Sequence, residues 1–357
     1  MTIADLDKNF QVPKLDVTDI EWFDASEEPF SLHGIYFNKE EGIFRRMPQD
    51  VADTVSFGVS YFSRYSTGGR LRFKTDSPYV AIKCVIPPEQ CMPHMPFTGS
   101  HGFSLYVNGE FRAIYYTVVK DAYDNLEKPW AMQSIKQFNR TDLRDNELYF
   151  PLYNGVQQLY IGLKKGCKLL KADEYTYKKP IVFYGSSITQ GGCASRTGND
   201  YISHLGRMLD CDYINLGFSG NAKGEPTMVN YLASLDAGVF VIDYDHNAPS
   251  LEHLKETHYP LYETIRKAHP DTPMVFISAP SPEFKEEGYE RRDFIKSNVE
   301  KAKALGDNNV YFIPGESLFG TEFRDACTVD CCHPNDIGFL RMAQTIYPVL
   351  KQILENK

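Results

Sequence analysis

One serine and one histidine in this sequence have the neighbours that acyl-transfer chemistry requires. Ser187 lies in Gly185-Ser186-Ser187-Ile188, and His333 closes the run Asp330-Cys331-Cys332-His333. A serine hydroxyl is a weak nucleophile and needs an adjacent base, and an aspartate can fix one imidazole nitrogen so that the other accepts a proton. An imidazole with a pKa of about 6.5 suits this transfer near neutral pH. The pattern indicates Ser187 as nucleophile, His333 as base and Asp330 as its orienting partner.

Two further residues could stabilise the oxyanion that this attack would create. Gly220 follows the apolar run Tyr213–Leu216, and Asn247 follows the run Val239–Ile242. A glycine can bring a backbone N–H close to a ligand, and an asparagine amide can donate to an oxyanion. Considered alone, Gly220 is more typical of a glycine in a turn than of an oxyanion donor. Asn247 could instead cap a helix that begins near Leu251.

The elements that would position these residues lie after Pro180. Short apolar runs alternate there with longer segments of helical periodicity, and the apolar runs are Ile181–Tyr184, Tyr213–Leu216, Val239–Ile242, Met274–Ile277 and Val310–Ile313. Near-continuous apolar strands are typical of a parallel sheet that is covered on both faces. Ligands of such sheets bind beyond the carboxyl ends of the strands, where Ser187, Gly220 and Asn247 all occur. The helical segments are Leu251–Ala268, Arg291–Leu305 and Asp336–Leu354.

The half of the chain that precedes about Leu170 has the pattern of an all-β domain. Asn108-Gly109 separates two apolar runs and is a strong signal for a β-hairpin. Many short strands without a long amphipathic helix favour a β-sandwich of the jelly-roll type. A lysine-rich stretch, Lys164–Lys179, follows, so we expect a β-sandwich domain over residues 1–172 and an α/β domain over residues 173–357. The predicted strands are Val55–Phe62, Gly69–Phe73, Val80–Val85, Phe103–Val107, Phe111–Tyr116 and Gln158–Leu163.

Two other kinds of site fit parts of the same sequence less well. Cys327, Cys331, Cys332 and His333 cluster in sequence, but their spacing lacks the C-x-x-C pairs of structural zinc sites. The serine-containing loop lacks the lysine followed by a hydroxyl residue that a phosphate-binding P-loop would have. We therefore expect neither a metal nor another cofactor.

Composition narrows the class of protein further. The 357 residues, 42% of them hydrophobic and 24% charged, fit a globular protein, and this length favours two domains. A net charge of -9 disfavours a nucleic-acid partner.

The amino terminus has no signal-peptide pattern and no apolar stretch is long enough to span a membrane, so a cytoplasmic location is expected. In that compartment the eight cysteines should be free and mostly buried thiols.

Taken together, the ordered blocks resemble those of the SGNH hydrolases, also called GDSL-like lipases and acylhydrolases. Ser187 and its neighbours match the first block, Gly220 the second, Asn247 the third and Asp330-Cys331-Cys332-His333 the fourth. The resemblance implies a flavodoxin-like α/β/α domain. It also implies an oxyanion hole formed by the N–H groups of Ser187 and Gly220 and by the Asn247 side chain.

The first half of the chain extends this resemblance. Gly102-Phe103-Ser104-Leu105-Tyr106 is similar to the G-x-D-L-Y motif of a β-rich domain that precedes a subset of these hydrolases. Three positions depart from the family pattern: Ser186 and Ser104 each replace an aspartate, and Ala248 follows Asn247 in place of one. These departures suggest a subfamily closer to carbohydrate esterases with an appended β-sandwich than to lipases.

The function that follows is a serine esterase acting on short acyl esters, above all acetyl esters, of a carbohydrate. The expected partner is a small-molecule or oligosaccharide ester. Whether the chain also forms a homo-oligomer is left open by the sequence. Gln190, Arg196 and Asn199, in the loop after Ser187, are candidate substrate contacts. The alternatives are a thioesterase or lysophospholipase with the same machinery, and a non-catalytic glycan-binding protein with a vestigial site.

Overall fold

The computed structural model describes residues 3–6, 15–90, 92–116 and 128–356. Antiparallel strands fill the part between residues 20 and 170, called here the β-rich region. Parallel strands alternate with helices between residues 177 and 355, called the α/β region. This arrangement confirms the predicted fold class.

Two antiparallel sheets form the body of the β-rich region. One has the strand order β1-β11-β6-β9, and the other has the order β12-β5-β10-β7-β8, with β2 also paired to β5. Alternate residues of both sheets, such as Phe73, Ile82 and Leu148, enter one buried apolar core, as in a sandwich. The strands are β1 Ile20–Asp24, β2 Ser31–His33, β3 Tyr36–Asn38, β4 Ile43–Arg45, β5 Arg70–Thr75, β6 Tyr79–Ile86, β7 Phe103–Val107, β8 Glu110–Tyr115, β9 Trp130–Gln137, β10 Arg144–Tyr149, β11 Gln158–Lys164 and β12 Leu169–Leu170.

The predicted hairpin is confirmed, since β7 and β8 pair antiparallel across Asn108 and Gly109. Both turn residues have positive φ, 51° and 79°, which is the geometry that Asn-Gly favours in a two-residue hairpin loop.

The predicted strand over Val55–Phe62 is wrong, because this segment is helical. The helices of the β-rich part of the chain are α1 Ile3–Leu6, α2 Gln49–Val55, α3 Phe57–Phe62 and α4 Phe97–Ser100. Ser56 separates α2 from α3, and its hydroxyl accepts a hydrogen bond from the Val59 N–H at 3.2 Å. This local cap stabilises the helix start, and Val59 is buried against the α/β region instead of joining a sheet.

The α/β region has a five-stranded parallel sheet with the strand order β14-β13-β15-β16-β17. Each predicted apolar run lies within one of these strands, and the three predicted helices are present. The strands are β13 Tyr177–Gly185, β14 Cys211–Gly217, β15 Val239–Asp243, β16 Met274–Ile277 and β17 Val310–Ile313. The helices are α5 Ser187–Gln190, α6 Tyr201–Leu209, α7 Pro226–Ser234, α8 Leu251–Ala268, α9 Gly288–Ala304 and α10 Asp336–Glu355.

Helices cover both faces of this sheet. Ile181 and Phe183 of β13 pack in one core with α6 and α10, whereas Val182 and Tyr184 pack in a second core with α7, α8 and α9. This two-sided burial explains why the strands are almost continuously apolar. Within the described ranges, no helix combines the length and hydropathy that a bilayer crossing requires.

Two buried arginines connect the β-rich region to β14. Arg46 donates to the Gly217 carbonyl at 2.6 Å and to the Asn215 carbonyl at 3.2 Å. Arg70 pairs with the Asp212 carboxylate, donates to the Tyr213 carbonyl at 3.1 Å and lies 3.4 Å from the centre of the Tyr213 ring. These guanidinium groups satisfy backbone carbonyls at a junction that excludes water.

We expect Arg70→Ala to lower the free energy of unfolding by about 3 kcal/mol, because it removes the guanidinium from the partly buried Asp212 carboxylate and leaves only His33 paired with it. The measurement is the midpoint of urea-induced unfolding. Arg112→Ala is the matched control, since Arg112 pairs with Glu110 on the surface and should change little. Equal midpoints for the two variants would contradict the structural role of Arg70.

Candidate active site

The nucleophile loop crosses the ends of three parallel strands. Gly217, Gly185 and Asp243 are paired neighbours in the last row of β14, β13 and β15. A Cβ on Gly185 would lie 2.3 Å from the Asp243 carbonyl oxygen, and one on Gly217 would lie 2.3 Å from the Gln190 nitrogen. Only glycine therefore lets α5 begin at Ser187 directly against the sheet. The Ser186 hydroxyl caps α5 by accepting from the Ile188 N–H at 3.2 Å.

The three residues predicted to carry out the reaction lie in one hydrogen-bonded chain. The Ser187 Oγ is 2.9 Å from the His333 Nε2, and the His333 Nδ1 is 2.7 Å from the Asp330 Oδ2. The other oxygen of Asp330 accepts from the backbone N–H groups of His333 and Cys332, at 2.7 and 3.1 Å. Asp330 is thus fixed by its own loop while it orients the imidazole.

The charge on Asp330 is favoured by this arrangement. Partial burial raises the pKa of the carboxyl, but the backbone and ring hydrogen bonds from His333 outweigh it, and the net pKa lies below the usual value. Asp330 is therefore ionised at neutral pH and can stabilise an imidazolium at His333.

The predicted oxyanion donors are the Ser187 N–H at the start of α5, the Gly220 N–H and the Asn247 side chain. The Ser187 N–H is the first of this helix, where no intrahelical acceptor exists. Gly220 is exposed with a φ of +68°, and together with Asn247 it lines a cavity of about 470 Å³. The Asn247 Nδ2 donates to the Phe218 carbonyl at 2.9 Å, which uses one of its two N–H bonds and leaves the second for a ligand.

Asn247 does not cap the following helix, which was the competing interpretation. The cap of α8 is Ser250, whose hydroxyl accepts from the His253 N–H at 3.1 Å. The capping hypothesis for Asn247 is therefore wrong.

The prediction of Gln190 as a substrate contact is corrected by the structure. Its side chain is fully buried, donates to the Leu152 carbonyl at 3.3 Å and accepts from the Ser219 N–H at 2.9 Å. Both ends of the amide are thus engaged within the protein. Gln190 holds the nucleophile helix against the β-rich region and the loop of Gly220.

Arg196 and Asn199 also have partners within the protein. Arg196 donates to the Tyr106 hydroxyl at 2.7 Å, and its guanidinium lies 3.7 Å from the centre of the Phe111 ring. Asn199 donates to an Asp336 carboxylate oxygen at 2.9 Å. These contacts attach the loop after Ser187 to β7, β8 and α10, and substrate binding by either residue stays a prediction.

Two residues that support the nucleophile were not identified from the sequence. Burial raises the pKa of Asp243 to about 8, and this carboxyl accepts from the hydroxyls of Thr189 and Tyr201 at 3.2 and 3.3 Å. Tyr153 of the β-rich region donates to the Ser187 carbonyl at 3.2 Å. The position of Asp243 directly after a buried strand was the available signal, whereas Tyr153 offered none.

The structure does not bring together the whole sequence cluster of Cys327, Cys331, Cys332 and His333. Cys327 is buried and Cys331 exposed. Cys193 instead lies beside His333 and the exposed His94. Burial, together with the charges of Asp330 and Cys332, raises the pKa of Cys193 to about 12. All seven described cysteines are free, four of them buried, as expected, and Cys91 lies outside the described residues.

Two family models match successive parts of the chain. Residues 178–351 match the GDSL-like Lipase/Acylhydrolase family, and residues 20–169 match GxDLY, the N-terminus of Esterase_SGNH_hydro-type. No curated protein gave a significant sequence match.

Solved structures share the whole architecture. A protein from Bacteroides ovatus ATCC 8483 described as a GDSL-like lipase is 29% identical, with a TM-score of 0.80 over 94% of this chain and 98% of that one. The salicylyl-acyltransferase SsfX3 from a tetracycline biosynthetic pathway is 18% identical, with a TM-score of 0.77 and the same coverage. A family two carbohydrate esterase from Clostridium thermocellum is 14% identical, with a TM-score of 0.64 over 91% and 99% of the two chains.

The two family matches correspond to the β-rich region and the α/β region, in that order along the chain. The similarity to the Bacteroides protein covers both regions. Residues 178–351 therefore form a domain of the GDSL-like lipase/acylhydrolase family of ester-hydrolysing enzymes, and this domain follows a GxDLY-type β-domain over residues 20–169.

Proposed function

We propose that this enzyme removes short acyl groups, above all acetyl groups, from a carbohydrate by a Ser-His-Asp mechanism. The observation that carries the mechanism is the continuous hydrogen-bonded chain from the Ser187 hydroxyl through His333 to Asp330. It lies at the carboxyl ends of the parallel strands, where ligands of such sheets bind.

The proposed reaction has two acyl-transfer steps. His333 takes the Ser187 proton as the oxygen attacks the ester carbonyl, and then protonates the departing alcohol. Water, deprotonated by His333, attacks the acyl-enzyme and releases the acid and free Ser187. In both steps the oxyanion would accept hydrogen bonds from the N–H groups of Ser187 and Gly220 and from Asn247.

The cavity beside Gly220 and Asn247 supports a hydroxylated substrate. Most of its wall is polar or charged and includes Ser250, Lys285 and Glu287. A long alkyl chain gains its binding energy from apolar walls, which this cavity does not offer, whereas sugar hydroxyls can exchange hydrogen bonds with such groups.

The solved structures of similar fold also support a carbohydrate ester. They include family two carbohydrate esterases from Clostridium thermocellum, in complex with cellohexaose, and from Cellvibrio japonicus. An acetyl xylan esterase from Butyrivibrio proteoclasticus has a TM-score of 0.62 and is covered over 99% of its length.

We expect Ser187→Ala and His333→Ala to lower kcat for p-nitrophenyl acetate by a factor on the order of 10⁴–10⁶, because each removes a member of the proton-transfer chain. Ser234→Ala, at an exposed serine of α7, is the control and should keep full activity. A fluorophosphonate probe should label the parent protein and the control but not Ser187→Ala. Full activity of a folded Ser187→Ala variant, or no labelling of the parent as in a vestigial site, would overturn the mechanism.

Asn247→Ala should lower kcat by about 10²–10³-fold and change KM little, because an oxyanion donor acts mainly in the transition state. Asn356→Ala, at the exposed end of α10, serves as the control. A variant with normal kcat would show that the Asn247 amide has only its structural bond to Phe218.

The acyl and alcohol groups can be assigned with two substrate series. For p-nitrophenyl esters, kcat/KM should be highest for acetate and fall as the acyl chain lengthens, because the cavity at Gly220 and Asn247 has a mostly polar wall. Acetylated xylo- and cello-oligosaccharides should release acetate, with Ser187→Ala as the blank. A preference for long-chain esters, acyl thioesters or lysophospholipids would contradict this assignment and leave the mechanism intact.

A further inference from the structure

Three potential metal ligands lie close to one another in the structure. They are His94, in an exposed turn of the β-rich region, Cys193, in the loop after α5, and His333 itself. One donor atom from each lies within 4.8 Å of the other two. The rings of His94 and His333 are 5.8 Å apart between centroids.

The donor set suits zinc better than a hard cation. Two imidazole nitrogens and one thiolate sulfur are ligands that Zn²⁺ prefers, whereas Mg²⁺ and Ca²⁺ prefer oxygen. With Zn–N and Zn–S bonds of about 2.0 and 2.3 Å, the donor atoms of a tetrahedral site are roughly 3.3–3.6 Å apart. Since the donor atoms are at most 4.8 Å apart, the groups must approach by up to about 1.5 Å, and rotation of the exposed His94 side chain can supply part of this movement.

The hydrogen bonds of His333 determine which of its nitrogens can bind a metal. Asp330 occupies the Nδ1 side at 2.7 Å, so that the Nε2 is the available donor. A carboxylate behind a ligating imidazole is the usual outer partner in zinc sites, where it fixes the ring and increases its basicity. The same Nε2 is 2.9 Å from the Ser187 hydroxyl. A metal ion on this nitrogen would displace the Ser187 hydrogen bond.

We propose that His94, Cys193 and His333 form a Zn²⁺ site whose occupancy removes the base from Ser187. Two imidazole nitrogens and the Cys193 sulfur bind the ion, and a water molecule completes the tetrahedron. Binding releases the thiol proton of Cys193 to solvent and transfers no electron. Inhibition of ester hydrolysis by the ion rests on the proposed function, whereas binding of the ion does not.

The binding experiment uses the full-length protein after treatment with EDTA and its removal. Titration calorimetry should show one Zn²⁺ per chain, and Co²⁺ should give the near-ultraviolet charge-transfer absorption of a thiolate ligand. Cys193→Ser should abolish this absorption, and both Cys193→Ser and His94→Ala should weaken Zn²⁺ binding by about tenfold or more. Cys331→Ser, at an exposed cysteine two residues before His333, is the control. Absence of 1:1 binding, or equal affinity in all variants, would overturn the site.

The inhibition experiment measures p-nitrophenyl acetate hydrolysis and fluorophosphonate labelling with increasing Zn²⁺. We expect the ion to suppress both in the parent protein and EDTA to restore them. His94→Ala and Cys193→Ser should keep the basal rate and require about tenfold more Zn²⁺ for inhibition. Parallel inhibition of all variants would show that the ion acts elsewhere. An inactive parent that still binds Zn²⁺ through Cys193 would refute the proposed function alone.

Discussion

The close approach of the nucleophile helix to the sheet is the constraint on which the site depends. Backbone atoms of α5 and of β15 occupy the places where side chains of Gly217 and Gly185 would lie. Because α5 begins at Ser187, the first N–H of the helix and the reacting hydroxyl belong to the same residue. The Asn215 amide strengthens the same junction by donating to the Thr189 carbonyl at 2.8 Å. Nucleophile and oxyanion donor therefore share one short, rigid piece of backbone.

The β-rich region is part of this support and not only an appended module. The Tyr153 hydroxyl donates a hydrogen bond to the Ser187 carbonyl, and the Leu152 carbonyl accepts one from the Gln190 side chain. Arg46 donates to the Gly217 carbonyl at the end of β14. Catalytic groups need positions held by packed neighbours, since small displacements cost rate. The same region contributes His94, and so the accessible side of His333 is formed by both halves of the chain.

Much of the α/β region could be predicted because its signals are local. Strands buried on both faces must be apolar throughout, and their ends mark where Ser187, Gly220 and Asn247 belong. The strand prediction over Val55–Phe62 was wrong because its outcome depends on packing against a distant part of the chain. Its aromatic and branched residues suit a strand, but Ser56 caps a helix whose apolar side is buried against the other half of the molecule. Gln190 was misassigned for a related reason, because burial of a polar side chain depends on contacts such as Leu152 that are remote in sequence.

Local sequence patterns specify the fold class, the strand ends and the chemical types of the reacting groups, because strand periodicity and the spacing of Asp330 and His333 act over a few residues. Which of these groups meet depends on the tertiary structure. It placed His333 against Ser187, assigned Gln190 to support, formed the cavity at Gly220 and brought His94 and Cys193 beside His333. These encounters join residues on different strands and helices, and their distances follow from packing, which no local pattern encodes.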